Sequence, residues 1–428
     1  IKTSPQANAQ TNGVSFAGMN YRYNTITIDG ALFNNNFGRS GDGLIPGGGA
    51  SAISIDALDQ IQLNIAPYDV RQAGFVGGGI NAVTKRGTNT FTGTVYGYYR
   101  NQDFTGNKVK GVEFNNAKKS TKIYGASIGG PIIKDKLFFF VNAEKEERTQ
   151  PGQTSVAKRP GVNDNDPNVT SPLASDLDKL SQYLKSAYNY DPGAYEGYNF
   201  YTDNFKFVTR LDWNISDKNR LTLRYNQSET NDDDRVNSNS GPSGISRFSN
   251  SRRGGSPTAG LSFMGSNFKN NTKVNSTVAE LNSIFSNKVS NQLIASYTRN
   301  QPVRIPNSAF PFADIMNGSN VYISLGTDLY SYENKIDDKA YNIADNVTLN
   351  FGKHSVTAGA SYDYFAVKNF FADAGGPSYY RFASLQDFLD NKAPIFFALT
   401  YGYDQKNPGY IPPAEATFGQ VSVYAQDA

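Results

Sequence analysis

Phe205-Lys206-Phe207-Val208-Thr209-Arg210-Leu211-Asp212-Trp213-Asn214 alternates strictly. Phe205, Phe207, Thr209, Leu211 and Trp213 share one face of an extended strand, while Lys206, Val208, Arg210, Asp212 and Asn214 share the other, because successive side chains point to opposite sides. The polar turn Ser216-Asp217-Lys218-Asn219 follows, and then Leu221, Leu223 and Tyr225 alternate with Thr222, Arg224 and Asn226. The segment reads as a β-hairpin with one apolar face and one charged face.

The same unit recurs along the chain. Lys134-Asp135-Lys136 joins a strand around Tyr124–Ile132 to Leu137–Ala143, Ser286-Asn287-Lys288 joins Thr277–Phe285 to Val289–Thr298, and Gly352-Lys353-His354 joins Tyr341–Phe351 to Ser355–Tyr364. The links within hairpins are short, whereas those between hairpins are long and polar, around 148–202, 230–271, 302–340 and 367–417. A soluble sandwich has no reason to place all its long loops at one end. An outer-membrane barrel does, with short periplasmic turns and long extracellular loops. Two short helices are predicted within the links: Ser175 to Tyr188, where Leu177, Leu180 and Leu184 share a face, and one starting at Ser384 before Leu385, Phe388 and Leu389.

Composition agrees. Hydrophobic residues are 38% of 428, and there is no apolar run of about 18 residues, as a membrane helix would need. Barrel strands hide their lipid-facing band, because only alternate residues contribute to it. Aromatic residues at 13%, with 27 Tyr and 28 Phe, suit interfacial girdles, and 40 Gly suit many turns. With no cysteine, a thiol nucleophile, a disulfide framework and a Cys-ligated metal are excluded. A net charge of +3 gives no electrostatic case for nucleic acid. The expected fold is therefore an all-β transmembrane antiparallel barrel over residues 89–428, preceded at 1–88 by a Gly- and Asn-rich segment that reads as part of a small α/β domain. About ten strands are expected, from one near residue 90 to one that breaks off in mid-pattern at Ala428. A barrel of that size leaves little room inside, so a wider one is expected, with strands beyond this sequence.

Two regions resemble TonB-dependent outer-membrane receptors. Asp59-Gln60-Ile61-Gln62-Leu63-Asn64-Ile65-Ala66-Pro67-Tyr68, continued by Gly77-Gly78-Gly79-Ile80-Asn81-Ala82-Val83-Thr84-Lys85, is similar to the end of that family's plug domain, although Ala66-Pro67 stands where Gly-Pro is usual. Thr27-Ile28-Asp29-Gly30 looks like the plug's internal Ile-Asp-Gly segment. Gly129-Gly130-Pro131-Ile132-Ile133-Lys134-Asp135-Lys136-Leu137-Phe138-Phe139-Phe140, with Asp56–Ile61 and Pro67–Arg71, resembles the Oar-like subgroup, whose members usually carry a carboxypeptidase-regulatory-like domain. The resemblance implies a barrel of about 22 strands, so that this sequence would hold the end of the plug and somewhat less than half of the wall.

It further implies a transporter of the Gram-negative outer membrane, importing or exporting a ligand past the plug with energy relayed by TonB through a segment missing here. Outer-membrane lipid, lipopolysaccharide, a surface lipoprotein lid and other envelope subunits are further expected partners. No enzymatic chemistry and no cofactor is expected. The alternative is a surface adhesin or a structural subunit of an envelope or secretion assembly built on the same barrel. Candidate ligand contacts at the plug apex are Asn34, Asn35, Asn36, Arg39, Tyr68 and Arg71. Their competing role is to pair with wall charges such as Arg210 and Arg224.

Other motifs carry less. Gly125-Ala126-Ser127-Ile128-Gly129 has the spacing of a hydrolase elbow but lies in a barrel strand, and the sole histidine, His354, sits in a hairpin turn. One histidine without cysteine is a poor metal site, and a solvated turn residue is the simpler reading. Asn163-Asp164-Asn165-Asp166 and Asp232-Asp233-Asp234 could offer oxygens to Ca²⁺ in extracellular loops but lack EF-hand spacing, so solvated loop acids are expected. The glycine runs at 41–49 and 77–79 lack a phosphate-loop lysine. Ser251-Arg252-Arg253 could face lipopolysaccharide phosphates.

Overall fold

The computed structural model describes residues 7–10, 13–16, 18–34, 51–65, 69–71, 78–113, 116–238, 241, 258–372, 378–402 and 406–428. Among these, ten strands pair in chain order into one antiparallel sheet. They are β1 (Thr92–Asn101), β2 (Ser120–Ile133), β3 (Leu137–Pro151), β4 (Asn199–Ser216), β5 (Asn219–Asp234), β6 (Phe268–Ser286), β7 (Val289–Pro306), β8 (Lys335–Phe351), β9 (His354–Phe370) and β10 (Ala414–Asp427). The strand count matches the sequence expectation. Short turns close β2–β3, β4–β5, β6–β7 and β8–β9, with Asp135 and Gly352 at φ of 62° and 60° where the chain reverses.

Register follows the alternation. Leu211 faces Leu223 and Trp213 faces Leu221, while Arg210 faces Arg224 and Asp212 faces Thr222. The apolar set is exposed, with Leu211 at 37%, Trp213 at 42% and Val423 at 81%. The polar set is buried: Asn142, Glu144, Lys206, Asp212 and Arg224. A charged interior beneath an apolar outer face inverts the soluble pattern and is what a barrel wall in lipid requires.

The strands run further than their sequence signal. β3 reaches Pro151, β4 begins at Asn199, β5 reaches Asp234, β7 reaches Pro306 and β9 reaches Phe370, all inside the expected links. Beyond the lipid an apolar face is no longer needed, so the contrast between faces fades while the hydrogen-bonded ladder continues. One consequence corrects the expectation for Asp232-Asp233-Asp234. These acids belong to β5 rather than a solvated loop, and their carboxylates accept hydrogen bonds from Thr202 Oγ1, from Tyr201 N (2.9 Å) and from Asn270 Nδ2 (3.1 Å). His354 is exposed directly after its turn, in line with the solvated reading, and its Nδ1 lies 2.5 Å from Asp427 Oδ2 at the end of β10. Ser127 lies within β2, as expected.

The long links are not separate loops. Segments of three of them, Leu261–Ser262, Asn320–Leu325, Phe312–Asn317, Tyr379–Phe382 and Phe396–Ala398, form a five-stranded sheet in that spatial order. The fourth link supplies helix α1 (Ala174–Tyr188), which buries Leu177, Leu180 and Leu184 against Leu261, Phe263 and Ile323. Helix α2 (Leu385–Leu389) follows Ser384, whose Oγ accepts from Asp387 N (3.1 Å), and it adds Phe388 to the same core. Both helices fall where the leucine spacing puts them. No N-cap side chain closes α1. Instead the Tyr322 hydroxyl accepts from Leu173 N (2.9 Å) and donates to Asp176 Oδ2 (2.7 Å). The four links thus make one small cap domain at one end of the sheet.

Within the first 88 residues, strands Ala31–Leu32, Thr25–Ile28, Gly78–Thr84 and Leu58–Ile65 form a four-stranded sheet in that order. This N-terminal unit lies on the charged inner face of the ten-stranded wall. Ile26, Ile28, Phe33, Ala52, Ile53, Ala57 and Ala82 pack there against Phe140, Val208 and Val274.

Candidate functional site

The site is the contact between the N-terminal unit and the inner face of the wall, and it begins with a turn. Thr25–Ile28 and Ala31–Leu32 pair through Ile28 and Ala31, leaving Asp29-Gly30 as a two-residue loop with φ of 49° and 78°. Positive φ at both positions is the type I′ signature, for which Asp-Gly is a preferred sequence. The absence of a side chain at Gly30 also lets the turn approach β7, because a Cβ there would lie 3.3 Å from Ile294 Cδ1.

The turn delivers the Asp29 carboxylate to the wall. It accepts hydrogen bonds from Thr84 N and Thr84 Oγ1 (both 2.8 Å) and forms ion pairs with Arg224 Nη1 (3.1 Å) and Arg210 Nη1 (3.4 Å). Arg210 also donates to the Thr84 carbonyl (3.0 Å) and grips Asp212 through two nitrogens at 2.9 Å. All of these groups are buried, with the Arg224 side chain 1% exposed. A charge so enclosed is tolerable only when paired and hydrogen-bonded, so the seat is specific to a carboxylate at this position.

A second seat lies along β3 and β4. Glu144 accepts from Ser54 Oγ, Tyr96 OH and Lys206 Nζ, each at 2.6 Å, and Lys206 reaches on to Glu146 at 3.1 Å. Asp56 takes Lys85 Nζ at 3.2 Å within the N-terminal unit and Asn142 Nδ2 of the wall at 3.4 Å. The two seats bind one side of the unit to β1–β5.

The other side is looser. Between the N-terminal sheet and β7–β10 lies a cleft of about 580 Å³. Its polar lining is mostly amides and hydroxyls, among them Asn81, Gln292, Asn342, Asn346 and Ser361. The unit also meets β10 directly, where Val70 N donates to Gln426 Oε1 (3.0 Å).

Two of the expected ligand contacts, Asn34 and Arg71, line this cleft. The Asn34 amide is turned onto its own unit, accepting from Ile26 N (2.7 Å) and donating to Asn24 O (3.3 Å). Arg71 forks onto Asp69, with Nη2–Oδ2 at 2.7 Å and Nε–Oδ1 at 2.9 Å, and this guanidinium holds the Asp69 carboxyl below its usual range. Asn35, Asn36, Arg39 and Tyr68 lie outside the described residues, as does Ser251-Arg252-Arg253. The wall arginines named as competing partners do bind the N-terminal unit, but their partner is Asp29. Asp29, Ser54 and Glu144 were missed. The alternation puts Glu144 on the charged phase of β3, a legible signal, whereas nothing local marks Ser54.

No group of three or more histidines and acids converges on a possible metal position among the described residues. Asn163 and Asp166 spend side-chain oxygens on the backbone of their own turn, and Asp164 pairs with Lys158 at 2.5 Å.

A wall with charges inside and apolar residues outside, carrying a folded unit on its inner face, defines a membrane-spanning antiparallel β-barrel protein. The chain belongs to the outer membrane beta barrel domain family, which it matches over residues 83–428, and its place is the Gram-negative outer membrane. Over 144 residues it is 30% identical to the TonB-dependent transporter Oar of Myxococcus xanthus, a match covering 32% of this chain and 13% of Oar. Its fold is similar to that of the outer membrane transporter YddB from Escherichia coli, with 11% identity and a TM-score of 0.62 over 97% of this chain and 48% of YddB. It is also similar to the ferric enterobactin receptor PfeA from Pseudomonas aeruginosa, with 13% identity and a TM-score of 0.55 over 100% of this chain and 51% of PfeA. The chain therefore spans about half the length of these solved structures. These relatives are transporters and receptors, not enzymes.

Proposed function

We propose that this chain serves TonB-dependent transport across the outer membrane, with residues 1–88 acting as the plug and 89–428 as wall. The cap domain then faces the outside and the short turns face the periplasm. The observation that carries the reading is the buried Asp29 carboxylate held between Arg210 and Arg224. A wide barrel needs its lumen filled, and this contact gives the filling unit a defined seat. Because both seats are polar, pulling can exchange their bonds for bonds with water, while the apolar cluster around Ile28, Phe33 and Ile53 must also part from the wall. TonB is the partner that would pull.

The chain has no cysteine, so a single introduced thiol can report movement. Ala52 is fully buried where the unit meets the wall. In cells with TonB, Ala52→Cys is expected to react with a membrane-impermeant maleimide several times faster than in cells lacking it. Equal labelling in both backgrounds would remove energy-coupled movement and leave a static role, such as adhesion or assembly.

A further inference from the structure

The N-terminal unit is held unevenly. Toward β1–β5 it has both charged seats and an apolar cluster. Toward β7–β10 it leaves the cleft, whose size falls within the range of small-molecule sites. Among the described residues, three acidic or basic side chains line that cleft: Asp69, Arg71 and Asp363. Asp69 and Arg71 neutralise each other, and Asp363 accepts from Asn342 Nδ2 (2.8 Å), so among the described residues the lining holds one uncompensated carboxylate and no unpaired cation. Phe365 and Phe418 stack with centroids 4.7 Å apart and form an apolar wall beside Gln420 and Ser422.

Resting on the plug reading above, we infer that this cleft is the passage and binding subsite for a neutral, hydroxyl-rich ligand, an oligosaccharide, rather than for an anionic metal chelate. Amides and hydroxyls can both donate and accept, so they exchange bonds with water for bonds with sugar hydroxyls at little cost. Aromatic faces offer flat apolar area to the C–H side of a sugar ring. An anion would need Arg or Lys donors free to meet it, and here it meets a carboxylate in a confined space.

The test uses Ser361→Cys, with Ser422→Cys as a second cleft position and Lys353→Cys on an exposed turn as reference, in the full protein in outer membranes. Each thiol is reacted with a neutral glucosyl methanethiosulfonate and with the anionic sulfonatoethyl reagent. The neutral-to-anionic rate ratio is expected to be about tenfold higher in the cleft than at the reference. Maltoheptaose, cellohexaose or xylohexaose is expected to slow cleft labelling, and a ferric tris-catecholate chelate is not. An unchanged ratio, absence of labelling at both cleft positions, or protection by the chelate alone or by none of the sugars overturns the inference. The Ala52→Cys comparison is independent of these readouts. If it fails while the cleft behaves as expected, a saccharide site remains in a protein that does not transport.

Discussion

Asp29 shows how much one side chain can carry when the chain around it is arranged for it. It receives one bond from the Thr84 backbone N–H, one from the Thr84 hydroxyl, and two guanidinium groups from the wall. Asp29→Asn keeps the turn and the shape but leaves Arg224 buried without its countercharge, at a cost of about 3–5 kcal/mol. The expected result is a wall that still assembles around a loosened N-terminal unit, read as faster proteolysis between residues 25 and 84. Unchanged protection would mean that the apolar cluster alone holds the unit. Tyr322 allows a test by pH. Burial above all, with the Asp176 carboxylate reinforcing it, pushes its phenol up to about 12. A free tyrosine titrates near 10, so the folded cap holds this proton more tightly than the unfolded chain. The stability this contributes is complete below about pH 10 and is lost as pH rises from there through about 12. Tyr322→Phe, which orphans the start of α1, is expected to cost about 1–3 kcal/mol of cap stability and to abolish that alkaline step, as followed by hydrogen exchange of α1. The seat itself was only partly legible in the sequence. The charged phase of β3, β4 and β5 can be read from their alternation. That Asp29 pairs with Arg210 and Arg224, 181 and 195 residues away, cannot, because no local pattern encodes a partner so distant.

At the level of the element, the period of two is the most informative quantity in the chain. It assigns Leu211 and Trp213 to the outer face and Arg210 and Asp212 to the inner one before any coordinate is known. Leu211→Arg is expected to cost about 2–4 kcal/mol in lipid, measured by reversible denaturant unfolding from vesicles. Gln292→Lys, on the inner face within reach of Glu280, is expected to stay within about 0.5 kcal/mol of the parent. Equal costs at the two positions would mean that the outer face does not meet lipid. The same periodicity ends the strands too early, since polar ladders above the membrane carry no apolar mark. It also misses the cap sheet. Phe312–Asn317 and Asn320–Leu325 are six residues each, too short to stand out from the links that contain them. Helix α1 was legible because its three buried leucines recur at helical spacing over a longer run.

The molecule as a whole separates three environments along one chain. Apolar side chains face outward from the wall, paired charges and the N-terminal unit lie within it, and a cap with its own hydrophobic core stands at the end opposite the short turns. The cap has a consequence for the order of assembly. Its strands and helices come from four links separated by completed hairpins, so although Phe312–Asn317 and Asn320–Leu325 form a local hairpin, the core that gathers Leu177, Leu261, Ile323 and Phe388 joins segments far apart in sequence. Contacts of high sequence separation must wait for the intervening loops to close, and they form slowly. The cap core is therefore expected to form last, after the hairpins that carry its links have paired. In pulse proteolysis during membrane insertion, protection of α1 should lag behind protection of β4 and β5, although α1 precedes both in the chain. A cap protected before the wall would mean that it nucleates folding from outside the membrane, and biogenesis would then run in the opposite direction.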